Sequence, residues 1–186
     1  VSYLSAFDIL RFIPELSNDV DFSLLTHMTV RNVLFAWLGP PYTITGFHTD
    51  WVHNLLAQIH GRKEVLLVAP SQSKFMYPSR KYDFRSQLSE IIINETTLDH
   101  FPKFKKANIF RVILHPGDML FIPKGWWHHV KSLDISISVN NFGLTKSDLY
   151  TVDLWEKIKM ALHKKGHCRS NNCTCHMQTS SGSVHR

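Results

Sequence analysis

The segment Thr45-Gly-Phe-His-Thr-Asp-Trp-Val-His-Asn-Leu-Leu-Ala-Gln-Ile-His-Gly-Arg-Lys63 sets an imidazole, His48, and a carboxylate, Asp50, two positions apart. On an extended backbone residues i and i+2 point to the same face, so both side chains can turn inward and hold one ion. Such a pair also decorates many solvated loops, and it becomes a site only if the fold delivers a third ligand. The best source is Pro116-Gly-Asp-Met-Leu-Phe-Ile-Pro-Lys-Gly-Trp-Trp-His-His129, where a Pro-Gly-Asp turn leads into an apolar strand and an aromatic pair before His128. Two histidines and a carboxylate form a facial triad, the set that holds non-haem Fe(II) and leaves coordination positions open. His128 and His129 are neighbours on one strand and face opposite sides, so only one of them is a ligand.

The rest of the chain reads as many short strands. Residues 1–7 form a short strand, and Leu10 to Leu16, with Pro14, a turn or short helix. Val30 to Leu38 is rich in β-branched and aromatic residues and stops at Gly39-Pro-Pro41. Val52 to His60 and Glu64 to Ala69 read as a hairpin about Gly61-Arg62. Ile109 to His115 and Met119 to Pro123 flank Pro116-Gly117-Asp118, and Trp126 to Ser132 follows. Ile135-Ser-Ile-Ser-Val139 alternates apolar and small polar residues, the period of a strand with one face on a core. Short strands joined by Gly and Pro turns predict a mainly β chain, a double-sheet jelly roll whose mouth gathers residues from distant strands. The connection from Pro70 to Phe104 has no clear period; on a β scaffold a connection this long carries substrate contacts or a lid. His53 is out of phase with His48 and Asp50 and reads as structural.

After Gly143 the period changes. Thr145-Lys-Ser-Asp148 fits a capping box, Leu149, Val152, Trp155, Ile158 and Leu162 recur at helical spacing, and Lys164-Lys165-Gly166 closes the helix. Its apolar face is expected to pack on the domain's own sheet, with a homodimer through that face as the alternative to a monomer. The division is therefore a β core over 1–143, an amphipathic helix over 144–166 and a polar tail over 167–186. In the tail, Cys168, Cys173, Cys175 and His176, near His163 and His167, offer a tetrahedral zinc set, although their spacing matches no established zinc module; a plain polar tail is the alternative.

Charge and cysteine usage narrow the function classes. Twenty-one Lys and Arg against 15 Asp and Glu give +6, yet no nucleic-acid motif is present, and the densest basic cluster, Lys103, Lys105, Lys106 and Arg111, reads as a solvated loop. Nucleic acid is not an expected partner. The only three cysteines lie between Cys168 and Cys175, so the core contains no disulfide, which suits a reducing compartment, cytoplasm or nucleus. No apolar run is long enough to span a bilayer, and no signal-peptide pattern occurs. Val1-Ser-Tyr-Leu-Ser-Ala reads like a strand interior without an initiating Met, as in a fragment of a longer chain.

Taken in order, Thr45-x-x-His48-x-Asp50, Asn54, Gly61-Arg-Lys63, Phe101-Pro-Lys-Phe104 and Pro116-Gly-Asp-Met-Leu-Phe-Ile-Pro-x-x-Trp-Trp-His-His129 resemble the JmjC-domain oxygenases. Within that family the branch of the asparaginyl hydroxylase called factor inhibiting HIF, with its small JmjC-only relatives, is the most similar. The resemblance runs from about Tyr3 to about Phe142. It implies a double-stranded β-helix, the cupin-type barrel, with Fe(II) on His48, Asp50 and His128. It further implies 2-oxoglutarate as cosubstrate, its distal carboxylate on Lys63 with hydroxyl donors from Thr45 and Tyr3, and Asn54 and Asn140 as polar contacts near the iron. The residues themselves leave Lys63 two roles. Facing a barrel interior beside Glu64-Val-Leu-Leu-Val68 it needs an anion, whereas at a hairpin end it reaches solvent.

The activity the resemblance implies is oxidation of 2-oxoglutarate to succinate and CO2 coupled to hydroxylation of a protein or peptide side chain. N-methyl-lysine demethylation uses the same chemistry and is the first alternative. A catalytically inactive JmjC binding module is the second; a broken triad or a missing lysine would mark it, and here both are complete. The chain departs from the family in starting almost at the strand of Tyr3, where related enzymes carry further N-terminal elements that help form the substrate groove.

Overall fold

In a computed structural model, which describes residues 3–94, 96–167, 172–174, 176–179 and 182–185, the alternating segments assemble into two five-stranded antiparallel sheets. The first has the order β1 (Leu4–Phe7), β2 (Arg31–Gly39), β10 (Ser136–Leu144), β4 (His53–His60), β8 (Met119–Ile122). The second has the order β6 (Ser86–Leu88), β3 (Ile44–Asp50), β9 (Trp127–Ser132), β5 (Lys63–Val68), β7 (Phe110–Leu114). From β2 to β5 the chain changes sheet at every turn, and again between β7 and β10, which is the winding of a jelly roll. The expected mainly β architecture with a C-terminal helix is therefore present.

Alternation along each strand divides its side chains between two cores. Leu56, Val65, Leu67, Leu114 and Ile122 point between the sheets and close one end of the barrel. On the outer face of the first sheet, Leu55 and Ala57 pack with Phe22 and Leu25 of the N-terminal segment. On the outer face of the second, Phe47, Val68 and Trp127 pack with Met76, Ile91 and Phe104. The long connection after Pro70 thus spends most of its length covering a sheet face, and Trp127 anchors it by donating from Nε1 to Ser73 Oγ at 2.8 Å. Each fully buried aliphatic side chain of these clusters contributes about 1.5–3 kcal/mol of transfer free energy.

Two expectations fail. β4 and β5 are not a hairpin: β4 pairs with β10 and β8, β5 with β9 and β7, and Gly61-Arg62 carries the chain from one sheet to the other. Both long edges of each strand are already hydrogen-bonded, which leaves no edge for the two to share. Gly61 makes the crossing possible, with φ of +68° and a Cβ position only 2.0 Å from the carbonyl oxygen of Ile135.

The second failure concerns the C-terminal helix. Its start is as expected, with Thr145 and Asp148 forming a reciprocal capping box, and it runs through a wide turn over Leu149–Asp153 into Leu154–Lys164, ending before Gly166 at φ +80°. From Trp155 on, however, the apolar stripe faces outward: Leu149 and Val152 are half-buried, but Trp155 is 53% exposed, and Ile158 and Leu162 are exposed as well. Buried instead are Asp153, Glu156 and His163. The outer faces of both sheets are occupied by other segments, and the helix packs by its polar edge against the turn at Tyr82–Ser86. Among the described residues no helix is long and apolar enough to cross a membrane. Cys168 and Cys175 of the suggested zinc set lie outside the described residues, as does the side chain of His176; Cys173 forms a parallel bridge with Tyr82. Beyond it, His176–Thr179 and Gly182–His185 form a two-stranded ribbon.

Candidate active site

His48 and His128 are direct cross-strand partners in the β3–β9 pair, with ring centroids 4.1 Å apart. Asp50 stands one inward position further along β3. The nearest ligand atoms of the three residues lie within 4.8 Å of one another, with His128 Nε2 3.5 Å and His48 Nε2 4.0 Å from the carboxylate oxygens. Each imidazole is oriented by a backbone carbonyl at its other nitrogen: His48 Nδ1 is 2.8 Å from Gly46 O, and His128 Nδ1 is 3.1 Å from Trp126 O. With Nδ1–H donating, both Nε2 lone pairs face the carboxylate, the arrangement in which second partners fix a metal-binding tautomer.

The electrostatics fit a cation. Asp50 Oδ2 is buried and makes no hydrogen bond. Burial pushes the Asp50 carboxyl up, and His48 only partly offsets this. Burial and the nearby His48 hold His128 well below the usual imidazole range, so it is neutral and free to coordinate. A divalent ion is what two aligned imidazoles and an unpartnered carboxylate oxygen lack. His129 turns to the opposite face and packs on Phe47 at 5.3 Å, and His53 stacks on Phe121 at 5.6 Å; neither joins the group.

A cavity of about 220 Å³ opens beside the triad. Tyr3, Thr45, Asn54, Lys63 and Asn140 all line it, so the structure brings every residue singled out for the cosubstrate into one space with the three ligands. Thr45 reaches it by an irregularity: three positions from His48, it should face the other side, but a register shift between Thr45 and His48 inserts one residue and returns both to the interior. Tyr3 Oη is 3.5 Å from Thr45 Oγ1, and its burial raises the phenol above its ordinary value. Asn140 Nδ2 donates to Asn54 Oδ1 at 2.8 Å.

Lys63 is 3% exposed, and its Nζ meets Ser138 Oγ at 2.5 Å. No carboxylate pairs with it among the described residues, and burial lowers the ammonium to about 8. Such a cation attracts an anion of matching size.

Sequence reasoning missed Ser138, Trp37, Asp83, Phe84 and Ser86, which share the lining with the apolar Leu56, Val130 and Phe142. Ser138 was readable, since it alternates in phase with Asn140. The other wall was not, because β6, which pairs with β3 so that Ser86 stands opposite Asp50, is only three residues long and has no period to detect. Residues 172–174 flank that wall, with Asn172 O accepting from Tyr82 N at 2.8 Å.

Comparison with known proteins agrees with this geometry. The model of the family described as "Cupin-like domain" matches residues 1–143. Lysine-specific demethylase 8 of Xenopus tropicalis is 33% identical over 144 residues, 75% of this chain and 32% of that protein. Jumonji C domain-containing protein 5 of Drosophila melanogaster is 32% identical, over 75% of this chain and 36% of that one. HSPB1-associated protein 1 of Rattus norvegicus is 39% identical over 109 residues, 57% of this chain and 23% of that protein. The chain thus spans about a third or less of the length of these curated relatives. From a barrel whose mouth gathers two histidines, a carboxylate and a buried lysine, and from a match over three quarters of its length, the chain belongs to the cupin-like domain family, as a JmjC-type member.

Proposed function

We propose that this domain is an Fe(II)- and 2-oxoglutarate-dependent oxygenase that hydroxylates a protein side chain. The observation that carries the reading is the convergence of His48, Asp50 and His128 with an unpaired, buried Lys63 in one cavity. In this reading the three ligands hold Fe(II), and Lys63, with Thr45 and Tyr3, receives the distal carboxylate of 2-oxoglutarate. Asn54 and Asn140 present amide groups beside the metal. When bound, the iron and cosubstrate supply the oxidising power that places oxygen in an unactivated C–H bond. The chain's own part is to orient the reactants and exclude water, which the apolar floor of Leu56 and Val130 serves.

N-methyl-lysine demethylation is the second reading, favoured by the likeness to a protein named lysine-specific demethylase 8. The two separate on a product analysis. The domain is incubated with Fe(II), 2-oxoglutarate and a library of unmodified and methylated peptides, and succinate and peptide masses are followed. A retained gain of one oxygen supports hydroxylation, and loss of a methyl group supports demethylation. Absence of any 2-oxoglutarate turnover would favour a non-catalytic binding module. We further read the domain as working in the cytoplasm or nucleus, either alone or as a dimer across the exposed Trp155, Ile158 and Leu162; sedimentation analysis of the wild type and a Trp155→Lys variant decides between monomer and dimer.

A further inference from the structure

The turn Asp83-Phe84-Arg85-Ser86 forms one wall of the cavity, and its third residue is in an unusual conformation. Arg85 has φ of +59°, a left-handed value that costs a side-chain-bearing residue about 1 kcal/mol or more, and that glycine or asparagine would adopt more easily. A strained arginine persists when its surroundings over-determine it, and here they do so from three directions. Its carbonyl accepts from Trp51 N at 3.1 Å, its own N–H donates to Glu156 Oε2 at 3.3 Å, and its guanidinium pairs with Asp153 while lying 4.9 Å from the centre of the Phe84 ring.

Both acids come from the C-terminal helix, and both are nearly inaccessible, Asp153 at 3% and Glu156 at 1%. Each has further cations: Lys157 lies 2.8 Å and Arg31 3.9 Å from Asp153, and Lys159 lies 2.7 Å from Glu156. Lys159 also sits 4.3 Å over the ring of Trp51, the residue that follows Asp50. Buried ion pairs add little net stability, but they penalise every geometry except the one that satisfies them. The arrangement therefore spends buried charge on fixing one short turn, and the turn carries two side chains, Asp83 and Phe84, that face the cavity.

We infer that Arg85 is a positioning residue that sets Asp83 and Phe84 against the cavity, so that the C-terminal helix, through Asp153 and Glu156, governs the shape of the wall the substrate meets. That the wall meets a substrate rests on the oxygenase reading; the clamp itself does not. The helix acts here through its polar edge, and its apolar stripe touches the arrangement only where Lys159 lies 5.6 Å over the ring of Trp155.

The test compares Arg85→Gly, Arg85→Gln, Arg85→Lys and Asp153→Asn in the full chain. Glycine relieves the backbone strain and removes the clamp, glutamine removes the charge, and lysine keeps it. Backbone hydrogen exchange over residues 83–88 is expected to quicken about tenfold or more in the Gly, Gln and Asn variants and less than about threefold in the Lys variant. Mn(II) and 2-oxoglutarate affinities should stay within about threefold of wild type in all four, because these variants leave the ligands and Lys63 untouched. A fluorinated phenylalanine placed at position 84 then reports the wall directly. Its resonance should be broadened by Mn(II) in the wild type and Arg85→Lys, and much less in Arg85→Gly and Arg85→Gln. Equal exchange and equal broadening in wild type and Arg85→Gly would overturn the inference, as would glutamine and lysine variants that behave alike. If the wild type binds no Mn(II), the oxygenase reading fails instead, and the exchange pattern alone decides the clamp.

Discussion

Nε2 of His128 lies 3.5 Å from Oδ2 of Asp50, and that oxygen is buried without a hydrogen bond. An acceptor left in this state costs about 1–3 kcal/mol unless something positive fills the gap. Replacing His128 or Asp50 by Ala is expected to weaken Mn(II) binding by on the order of 100-fold or more, since even outer partners of a metal ligand are worth about 10–100-fold. His129→Ala, one residue away on the other face, should leave that affinity within about threefold. Isothermal calorimetry on the three variants makes the comparison, and equal losses at positions 128 and 129 would place the ion elsewhere.

Lys63 gives the site a pH dependence whose sign is fixed by burial. Its ammonium is lowered from the usual 10.5 to about 8, so between these values the unfolded chain binds more protons than the folded one and stability rises with pH. Anion binding runs the other way. A dicarboxylate needs the ammonium, so 2-oxoglutarate affinity is full below about 8 and falls by up to about tenfold per pH unit above it, until the value for the complex is reached. Titration of the Mn(II)-loaded domain with 2-oxoglutarate between pH 7 and 9 measures this, and a flat profile would show that Lys63 does not meet the anion.

The same burial makes a prediction about stability in the absence of ligand. Lys63→Met keeps the length of the side chain and removes the charge that has no carboxylate partner. The variant should lose 2-oxoglutarate binding and yet unfold at higher denaturant concentration than the wild type, by about 1–4 kcal/mol, the range seen when buried ionic groups give way to apolar ones. A destabilised Lys63→Met domain would mean that the hydrogen bond to Ser138 outweighs desolvation.

Much of this site was legible because it rests on strand alternation. His48 and Asp50 share a face by spacing and His128 and His129 split by it, whereas alternation left the register of Asn140 and Asn141 open, and the structure puts Asn140 in the cavity. Thr45 was assigned by resemblance alone, since plain alternation puts it on the wrong side of His48 and only the register shift beside Gly46 corrects it. Strand partners were less readable than strands. Val52 to His60 and Glu64 to Ala69 look like a hairpin locally, and nothing in their composition says that their neighbours belong to different sheets. The helix misled for a related reason. A stripe containing Trp155, Ile158 and Leu162 shows that a helix forms, but which face it buries depends on what surface remains uncovered, and here that surface was the charged turn at Arg85.

That orientation separates two kinds of helix variant. Trp155→Ser removes a large apolar side chain that is more than half exposed and should change stability by less than about 0.5 kcal/mol. Asp153→Ala removes a nearly inaccessible carboxylate and leaves the Arg85 guanidinium, itself 22% exposed, without its partner; the cost should be about 2–4 kcal/mol, below or near the full penalty for stranding a buried charge. Urea unfolding of both variants tests this, and the reverse order of costs would mean that the apolar stripe is the buried face.

Gly61 offers the sharpest test of how the barrel is closed. At a hairpin tip a residue with positive φ tolerates alanine at a cost of about 1–2 kcal/mol, because only the left-handed backbone is strained. At a crossing between sheets the added methyl also has to find room, and here it would stand 2.0 Å from Ile135 O, on the segment that leads into β10. Neither atom can move away without shifting Ser136, which is buried against Gln58 at 3.1 Å. Gly61→Ala should therefore cost clearly more than the backbone figure, about 3 kcal/mol or more. It should also disturb β5, where Lys63 begins two residues later, so 2-oxoglutarate affinity should fall in the protein that remains folded. Gly117→Ala is the control: its φ is +93°, yet no atom lies within 4 Å of the added carbon. Equal losses of stability in the two variants, measured by urea unfolding, would mean that the backbone conformation alone matters at Gly61 and that the crossing has room to spare.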